Sequence, residues 1–281
     1  MYTPVATVSY CYGQTTFPGV QVKLYKVAEF IAGFRYVLTP PFITSGLSLD
    51  GIESTAEWNV VRTTLEAHIL AYGIAPDTVS ATNQDGQVHF DTLGMGMYLA
   101  IVDQVAQDDL YYHFDSALVS VPGLGPNGRQ YAVSVNAKGE VLPPVNPDEE
   151  TVFQVLKLWK GDEGRTDRPK SVEVEIFRNG VLRETVVLSE ENHWSYSWLA
   201  KDDGASWSVA ERSVPQGYTV TVDVREASFV LTNTRIPTQP GTPVKPPQTG
   251  DTANVMLYVL LMTLSGTMLI VLGISRKRLS L

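Results

Sequence analysis

Three segments in the second half of the chain each place one polar side chain among apolar ones. The polar residues are Lys157, Glu211 and Asn233. Because successive side chains of a strand point to opposite faces, each is predicted to share a face with its apolar neighbours. A buried ammonium or carboxylate is unfavourable unless it is paired. Two interpretations follow: the three groups pair in one core, or they are unrelated residues near strand ends whose polar tips reach water.

A second group of residues with chemical meaning stands near the C-terminus. The run Pro246-Pro247-Gln248-Thr249-Gly250 is followed by residues 255–274, which carry no charge, and then by Arg276-Lys277-Arg278. About 20 apolar residues in a helix span a bilayer, and basic residues beside a span favour the cytoplasmic side. The sequence therefore predicts one C-terminal transmembrane helix, with the preceding chain outside the cell.

Composition narrows the function further. A formal net charge of -9 argues against a nucleic-acid partner, and the single cysteine, Cys11, excludes an intrachain disulfide. The histidines show no metal-ligand spacing, and neither a phosphate-binding glycine-rich loop nor a Gly-x-Ser-x-Gly motif occurs. The acidic loop 161–167 lacks the calcium-loop pattern and is interpreted as a solvated turn. The sequence predicts no enzyme, no metal and no cofactor.

The elements that must position these groups are mostly strands. Alternating segments predict strands near residues 6–10, 19–27, 86–90, 97–102, 117–121 and 131–135. One helix is predicted over Thr55–Tyr72, with Ser54 as its N-cap and Glu57 completing a capping box. Its packed face is predicted to hold Trp58, Val61, Leu65, His68, Ile69 and Tyr72.

The predicted fold class is mainly β, with two Ig-like or prealbumin-like sandwich domains, the first with a helical insertion, and one C-terminal transmembrane helix. The predicted divisions are a first domain (5–141), a linker (142–150), a second domain (151–236), a Pro-rich spacer (237–245) and a C-terminal signal with span and basic tail (246–281). Residues 1–4 resemble no signal peptide. Because export requires one, we expect that it has been removed or that the start is misassigned.

The run from Pro246 to Gly250, followed by a span and a basic tail, resembles the cell-wall sorting signal of Gram-positive surface proteins. In that family a sortase cysteine attacks the Thr249–Gly250 peptide carbonyl and passes the threonine to an amine. The resemblance implies a sortase and a peptidoglycan precursor as partners, and a wall location on the extracellular face after the span is discarded. Pro246 stands where the family usually has Leu, which leaves the sortase class open. The alternative is an ordinary membrane anchor that is never cleaved.

The first domain resembles the N-terminal domain of sortase-assembled pilins. The resemblance rests on Leu24-Tyr25-Lys26-Val27, Asp85-Gly86, Gly96-Met97-Tyr98-Leu99 and Leu118-Val119-Ser120-Val121-Pro122-Gly123-Leu124. Val133–Lys138 partly resembles the pilin motif, whose lysine attacks the acyl-enzyme of the next subunit, although Asn136-Ala137 replaces its usual Tyr-Pro. Lys138 is thus a candidate pilin-linkage lysine, which would make other subunits its partners. The alternative is an exposed lysine at a strand end.

The second domain resembles the Cna B-type domain of a collagen adhesin's stalk. The matching runs are Leu156-Lys157-Leu158-Trp159, Arg168-Pro169-Lys170-Ser171-Val172, Ser189-Glu190-Glu191-Asn192-His193-Trp194, Trp207-Ser208-Val209-Ala210-Glu211, Val214-Pro215-Gln216-Gly217-Tyr218 and Leu231-Thr232-Asn233-Thr234. In that family a lysine of the first strand and an asparagine of the last form an isopeptide bond assisted by a glutamate. The resemblance implies these roles for Lys157, Asn233 and Glu211. Burial lowers the pKa of a lysine and raises that of a glutamate, which suits attack by a neutral amine assisted by a protonated acid.

The first domain offers no comparable triad. Lys26 lies on an apolar phase, but Val102 stands at the position that matches the family's acid, and Asp103 faces the other way. Asn136 is out of phase with its apolar neighbours, and Asn146 lies in the predicted linker. We therefore expect no isopeptide bond there.

Together these features predict a wall-anchored surface subunit. The preferred interpretation is a sortase-assembled pilin or a related surface subunit. One alternative is a monomeric adhesin whose first domain binds a host ligand that the sequence does not identify. Another is a membrane-anchored, receptor-like module.

Overall fold

The computed structural model describes residues 3–32, 35–126, 128–142, 146, 148–163 and 165–237. Residues 1–237 belong to one compact unit, and the names first domain and second domain refer to its two predicted divisions, 5–141 and 151–236. Within the described ranges, no helix has the length and apolar character needed to cross a membrane. The predicted sorting signal, transmembrane helix and basic tail, and all of the Pro-rich spacer but Pro237, lie outside these ranges.

The first half of the chain is mostly strand, with two helices between β5 and β6. The strands are β1 (Val5–Ser9), β2 (Cys11–Tyr12), β3 (Thr15–Thr16), β4 (Gln21–Ile31), β5 (Arg35–Leu38), β6 (Thr78–Ala81), β7 (Gln87–Phe90), β8 (Gly96–Val102), β9 (Val105–Gln107), β10 (Leu110–Phe114), β11 (Ala117–Val121), β12 (Gly123–Gly125), β13 (Gly128–Gln130), β14 (Ala132–Asn136) and β15 (Gly139–Val141). The helices are α1 (Pro40–Ile43) and α2 (Thr55–Tyr72).

These strands form several small sheets, with one apolar core between the sheets and a second beneath α2. One sheet has the order β14-β1-β7, and a larger one has the order β11-β8-β4-β5 with β6 also paired to β4. Strand β1 runs parallel to β14 and antiparallel to β7. The core between the sheets contains Val8, Tyr10, Phe17, Leu24 and Val119, all buried. All six predicted strands are therefore found, whereas the short strands between them were not predicted.

Helix α2 begins and ends where the sequence predicts. The Glu57 N–H donates to Ser54 Oγ at 3.2 Å, and the Ser54 N–H donates to Glu57 Oε2 at 2.9 Å, which confirms the capping box. Of the predicted packed face, Trp58 is half-buried and the other members up to Ile69 are buried. Tyr72 is an exception, because it is the last helical residue and is 47% exposed, with its ring 4.4 Å from that of His68.

The second half is a two-sheet sandwich. Its elements are β16 (Glu150–Lys160), β17 (Ser171–Arg178), β18 (Val181–Ser189), a single 3-10 turn (Glu190–Asn192), β19 (Ser195–Lys201), β20 (Trp207–Glu211), β21 (Tyr218–Arg225) and β22 (Ser228–Arg235). The sheets have the orders β19-β16-β22-β21 and β18-β17-β20. The first strand, β16, runs parallel to the last, β22. Val155, Ile176, Leu188, Phe229 and Leu231 lie in the core that both sheets share.

Candidate functional site

Three strands bring Lys157, Glu211 and Asn233 into the core of the sandwich. Lys157 lies in β16 and Asn233 in the neighbouring β22, while Glu211 ends β20 in the facing sheet. Their exposed fractions are 2%, 4% and 0% respectively. The alternation argument therefore placed each side chain on the correct face, because the odd positions of β16 point inward and its even positions outward.

The glutamate joins the other two groups. Lys157 Nζ donates to Glu211 Oε2 at 2.6 Å. Asn233 Nδ2 donates to the other carboxylate oxygen, Oε1, at 3.0 Å. The three side chains thus pair with one another. The alternative interpretation, in which their polar tips reach water, is wrong. An amine, a carboxyl group and a side-chain amide are held in one buried cluster.

Burial weakens the positive charge of the lysine. Removal from water lowers the pKa of Lys157 to about 8, although the carboxylate of Glu211 opposes this decrease. A larger fraction of the amine is therefore neutral at physiological pH than in an exposed lysine. Among the described residues, Asn233 Oδ1 is buried with no hydrogen-bond partner. The carbonyl oxygen of this amide is thus unsatisfied. The carbon bonded to it is the atom that an amine would attack.

An aromatic ring lies close to the lysine amine. Lys157 Nζ lies 5.3 Å from the centre of the Trp159 ring. Trp159 in turn makes edge-on contacts with Trp194 at 5.3 Å and with Tyr218 at 5.1 Å. The amine thus lies against an apolar ring inside the core, and its removal from water is the desolvation that lowers its pKa.

The loop after β16 differs from its predicted solvated state. Asp162 is buried and accepts two hydrogen bonds from the Arg168 guanidinium, both at 2.7 Å. The Tyr218 hydroxyl donates a third, at 3.0 Å. The bonds from Arg168 hold the pKa of Asp162 below its usual range. The solvated-turn prediction is wrong for Asp162, because a local pattern does not reveal that Arg168, six residues on, and Tyr218, at the start of β21, come into contact with it.

The polar residues considered in the first domain do not form such a cluster. Lys26 Nζ pairs with Glu29 at 2.7 Å at the surface of the sheet. Asp103 pairs with Lys23 at 2.8 Å, and Val102 is buried. Asn136 is exposed, in a different sheet from Lys26.

The other predicted residues lie apart from this centre. Lys138 is exposed just after β14, and with Arg62 and Asp115 it lines a cavity of about 450 Å³. Its carbonyl accepts a hydrogen bond from the Asp115 N–H at 2.9 Å. The sorting residues, including Thr249 and Gly250, lie outside the described ranges. Within the described residues, no cluster of ligands that could hold a metal ion was found.

Comparison with known proteins identifies the second domain. Residues 153–234 match the family model of the Cna protein B-type domain. Over 188 residues, 60% of this chain, the sequence is 24% identical to a collagen adhesin of Staphylococcus aureus. The match spans only 16% of that protein's length.

Solved structures of surface proteins also align. A single B repeat of the Staphylococcus aureus collagen-binding protein is 17% identical, covering 84% of this chain and 99% of that one, with a TM-score of 0.29. The shaft pilin of Lactobacillus rhamnosus GG is 11% identical, covering 83% and 98%, with a TM-score of 0.30. A backbone pilin of Streptococcus pyogenes is 14% identical, covering 75% and 53%, with a TM-score of 0.34.

The family match extends from Phe153 in β16 to Thr234 in β22, so it includes all three members of the buried cluster. The sequence resemblance and the family model agree on the same strands. The second domain of this protein is a Cna B-type domain.

Proposed function

We propose that this protein is a structural subunit of the Gram-positive cell surface whose second domain joins Lys157 to Asn233 through an isopeptide bond. The observation that carries the proposal is the contact of Glu211 with both groups inside a core that excludes water. The reaction occurs once within each molecule. It is not enzymatic turnover.

The chemistry begins with a proton transfer. Lys157 passes a proton to Glu211 across the 2.6 Å contact, which leaves a neutral amine and a neutral acid. The amine attacks the carbonyl carbon of the Asn233 side chain, and the protonated Glu211, which contacts Asn233 Nδ2, supplies a proton to the departing nitrogen. A C–N bond forms, the original C–N bond of the amide breaks, and ammonia leaves with the protons that the glutamate has relayed. The product is a secondary amide between β16 and β22.

The test is an intact mass of residues 1–245, which include the whole compact unit. We expect a mass short by one ammonia, and a fragment spectrum that links Lys157 to Asn233. Asn233→Ala should restore the full mass after allowance for the substitution. The matched control is Asn136→Ala, which changes an exposed asparagine in the last position of β14. A full mass for the unaltered chain would refute the bond.

We also propose that a sortase cysteine attacks the Thr249–Gly250 peptide carbonyl, which releases the Gly250 amine, and that the threonine acyl group then passes from the cysteine to another amine. Support comes from the order of motif, apolar span and basic tail in the sequence. Lys138 supplies the amine if subunits polymerise, because its exposed position after β14 leaves it accessible. Wall attachment places the two β domains on the extracellular face.

Wall extracts distinguish these assemblies. Ladders of high mass that disappear on Lys138→Ala, but persist on Lys160→Ala, would establish polymerisation through Lys138. Lys160 is a suitable control because it too is an exposed lysine at the end of a strand. A full-length band that retains the span would refute cleavage.

A second candidate function is that of a monomeric adhesin. The cavity of about 450 Å³ beside Lys138, which is lined by apolar and charged residues, favours it as a ligand site. The similarity to a collagen adhesin suggests matrix protein as the first ligand to test. A single wall-linked band together with saturable binding to immobilised collagen would favour this function over the pilin.

A further inference from the structure

Helix α2 lies between β5 and β6 of the first domain in the chain but also packs on the second domain. Strand β21 is an edge of one sheet of the sandwich and β20 is an edge of the other, and α2 contacts both. Ala67 lies in the same buried cluster as Val209 and Val222, with Leu70 and Ala71 packed against that cluster. The opposite side of α2 packs on the first domain through other residues. One helix thus serves two cores.

The helix also completes the hydrogen bonding of the edge strand. The Val222 N–H donates to Thr64 Oγ1 at 3.0 Å. Thr63 Oγ1 donates to the Val222 carbonyl. Exposed N–H and C=O groups of an edge strand must be covered or hydrated. At Val222 the two threonine hydroxyls replace that water.

This contact lies next to the reactive cluster. Val220, in the same strand, is paired directly with Asn233 of β22. Across β20, Glu211 lines a cavity of about 10 Å³ together with Thr64, Ala67 and His68 of α2. A cavity of that size has room for about one water molecule. The helix therefore closes the side of the sandwich through which bulk water would otherwise approach Glu211.

We propose that α2 is a positioning element of the isopeptide reaction, and that the Lys157–Asn233 bond forms at its full rate only after the first domain has folded and docked this helix. The inference rests on the proposed function. Its physical basis is the exclusion of water, because a hydrated site returns the amine to its charged form and weakens the interaction of the acid with the amide. Cross-linking then follows the folding of both domains.

The experiment is a time course of ammonia loss in residues 1–245. The chain is made by cell-free translation, quenched in acid at intervals, and its intact mass is measured. Ala67→Phe adds a neutral, oversized side chain at the interface, and Ala56→Phe adds the same group at an exposed position of the same helix. We expect Ala67→Phe to slow the reaction about tenfold for each unit by which the pKa of Lys157 returns toward its normal value. Ala56→Phe should react at the unaltered rate.

A pH profile separates positioning from folding. If α2 acts by excluding water, the rate of ammonia loss in Ala67→Phe should recover at about pH 10, where a hydrated lysine amine also becomes neutral. A rate that stays low at every pH would overturn the positioning role. Equal rates for both variants and the unaltered chain would overturn the inference while leaving the bond proposal intact. An unaltered chain that never loses ammonia would overturn both.

A second variant covers the case in which Ala67→Phe does not fold, which circular dichroism would reveal. Thr63→Val with Thr64→Val keeps the shape of both side chains and removes only the hydroxyls that bond to Val222. We expect slower ammonia loss and faster hydrogen exchange at the Val222 amide. If Val222 exchanges faster and the reaction rate is unchanged, closure of this edge does not matter and the inference is wrong.

Discussion

The two domains share one topological feature and differ in what it positions. In each, the first strand lies parallel to a late strand: β1 beside β14, and β16 beside β22. In the second domain Lys157 is opposite Leu231, which is two residues before Asn233. In the first domain Thr7 is opposite Ser134, which is two residues before Asn136. The register is the same, but threonine stands in the place of lysine.

The faces of the strands differ as well. Lys157 and Asn233 point into the core, whereas Asn136 is exposed and Thr7 bonds to His89 at 2.9 Å outside the core. Ala6 and Val8, on either side of Thr7, take the inward positions. Parallel pairing of the first strand with a late strand is thus insufficient for the chemistry. The reactive pair must also occupy the inward phase and meet an acid from the facing sheet.

The largest contrast is expected from removing one acid in each domain. Glu211→Ala should prevent the cross-link and leave Lys157 buried without its partner, which costs about 3–5 kcal/mol in addition to the loss of the cross-link. Glu29→Ala removes the partner of Lys26 at the surface, where an ion pair contributes about 0–1 kcal/mol. Denaturant unfolding of both variants measures the difference. Similar losses of unfolding free energy would contradict the distinction between the two sites.

A smaller effect is expected from pH in the chain that cannot cross-link. In the unaltered chain burial lowers the pKa of Lys157 to about 8, against 10.5 for an unburied lysine, and we expect the lysine of folded Asn233→Ala to keep this lowered pKa. Between these values the unfolded chain binds more protons, so the unfolding free energy should rise with pH, by about 3 kcal/mol in total. Below this window both states are protonated and the full penalty of burial remains.

The controls for this pH dependence use the same buffers. The cross-linked chain has an amide in place of the lysine amine and should lack this contribution. Adding Lys157→Met to Asn233→Ala should also remove it. An equal rise in all three proteins would assign the dependence to other groups.

The smallest effect is expected from placing a lysine in the first domain. Thr7→Lys places a lysine at the register that corresponds to Lys157. This lysine would lie on the outer face of the sheet, without an acid contact from a facing sheet. We expect no loss of a second ammonia in the intact mass, and normal loss of the first. A second loss would mean that register alone is sufficient for the reaction.

The sequence predicted the inward phase of the cluster because alternation in a strand is a local property. Lys157, Glu211 and Asn233 could each be assigned to a face from their immediate neighbours. The parallel pairing of β16 with β22 could not be read in this way, and only the family resemblance implied that the first and last strands meet. Helix α2 was similarly accessible, because its cap and apolar spacing lie within one continuous segment.

The features that were missed depend on contacts that the tertiary structure creates. Asp162 resembles a solvated loop acid until Arg168 and Tyr218 are brought against it. The second role of α2 was also missed, because Ala67 and two threonines carry little apolar signal. Small residues and hydroxyls on a helix are compatible with solvent, and only the tertiary structure shows that a β-edge covers them.

The parallel pairing of β16 with β22 also has a mechanical consequence. The two strands run in the same direction, so the chain enters β16 at one end of the pair and leaves β22 at the opposite end. Tension on the chain ends therefore shears all the hydrogen bonds between the strands at once, whereas a hairpin would unzip one bond at a time. The same geometry recurs between β1 and β14. Both domains are arranged to distribute a load across a whole strand pair.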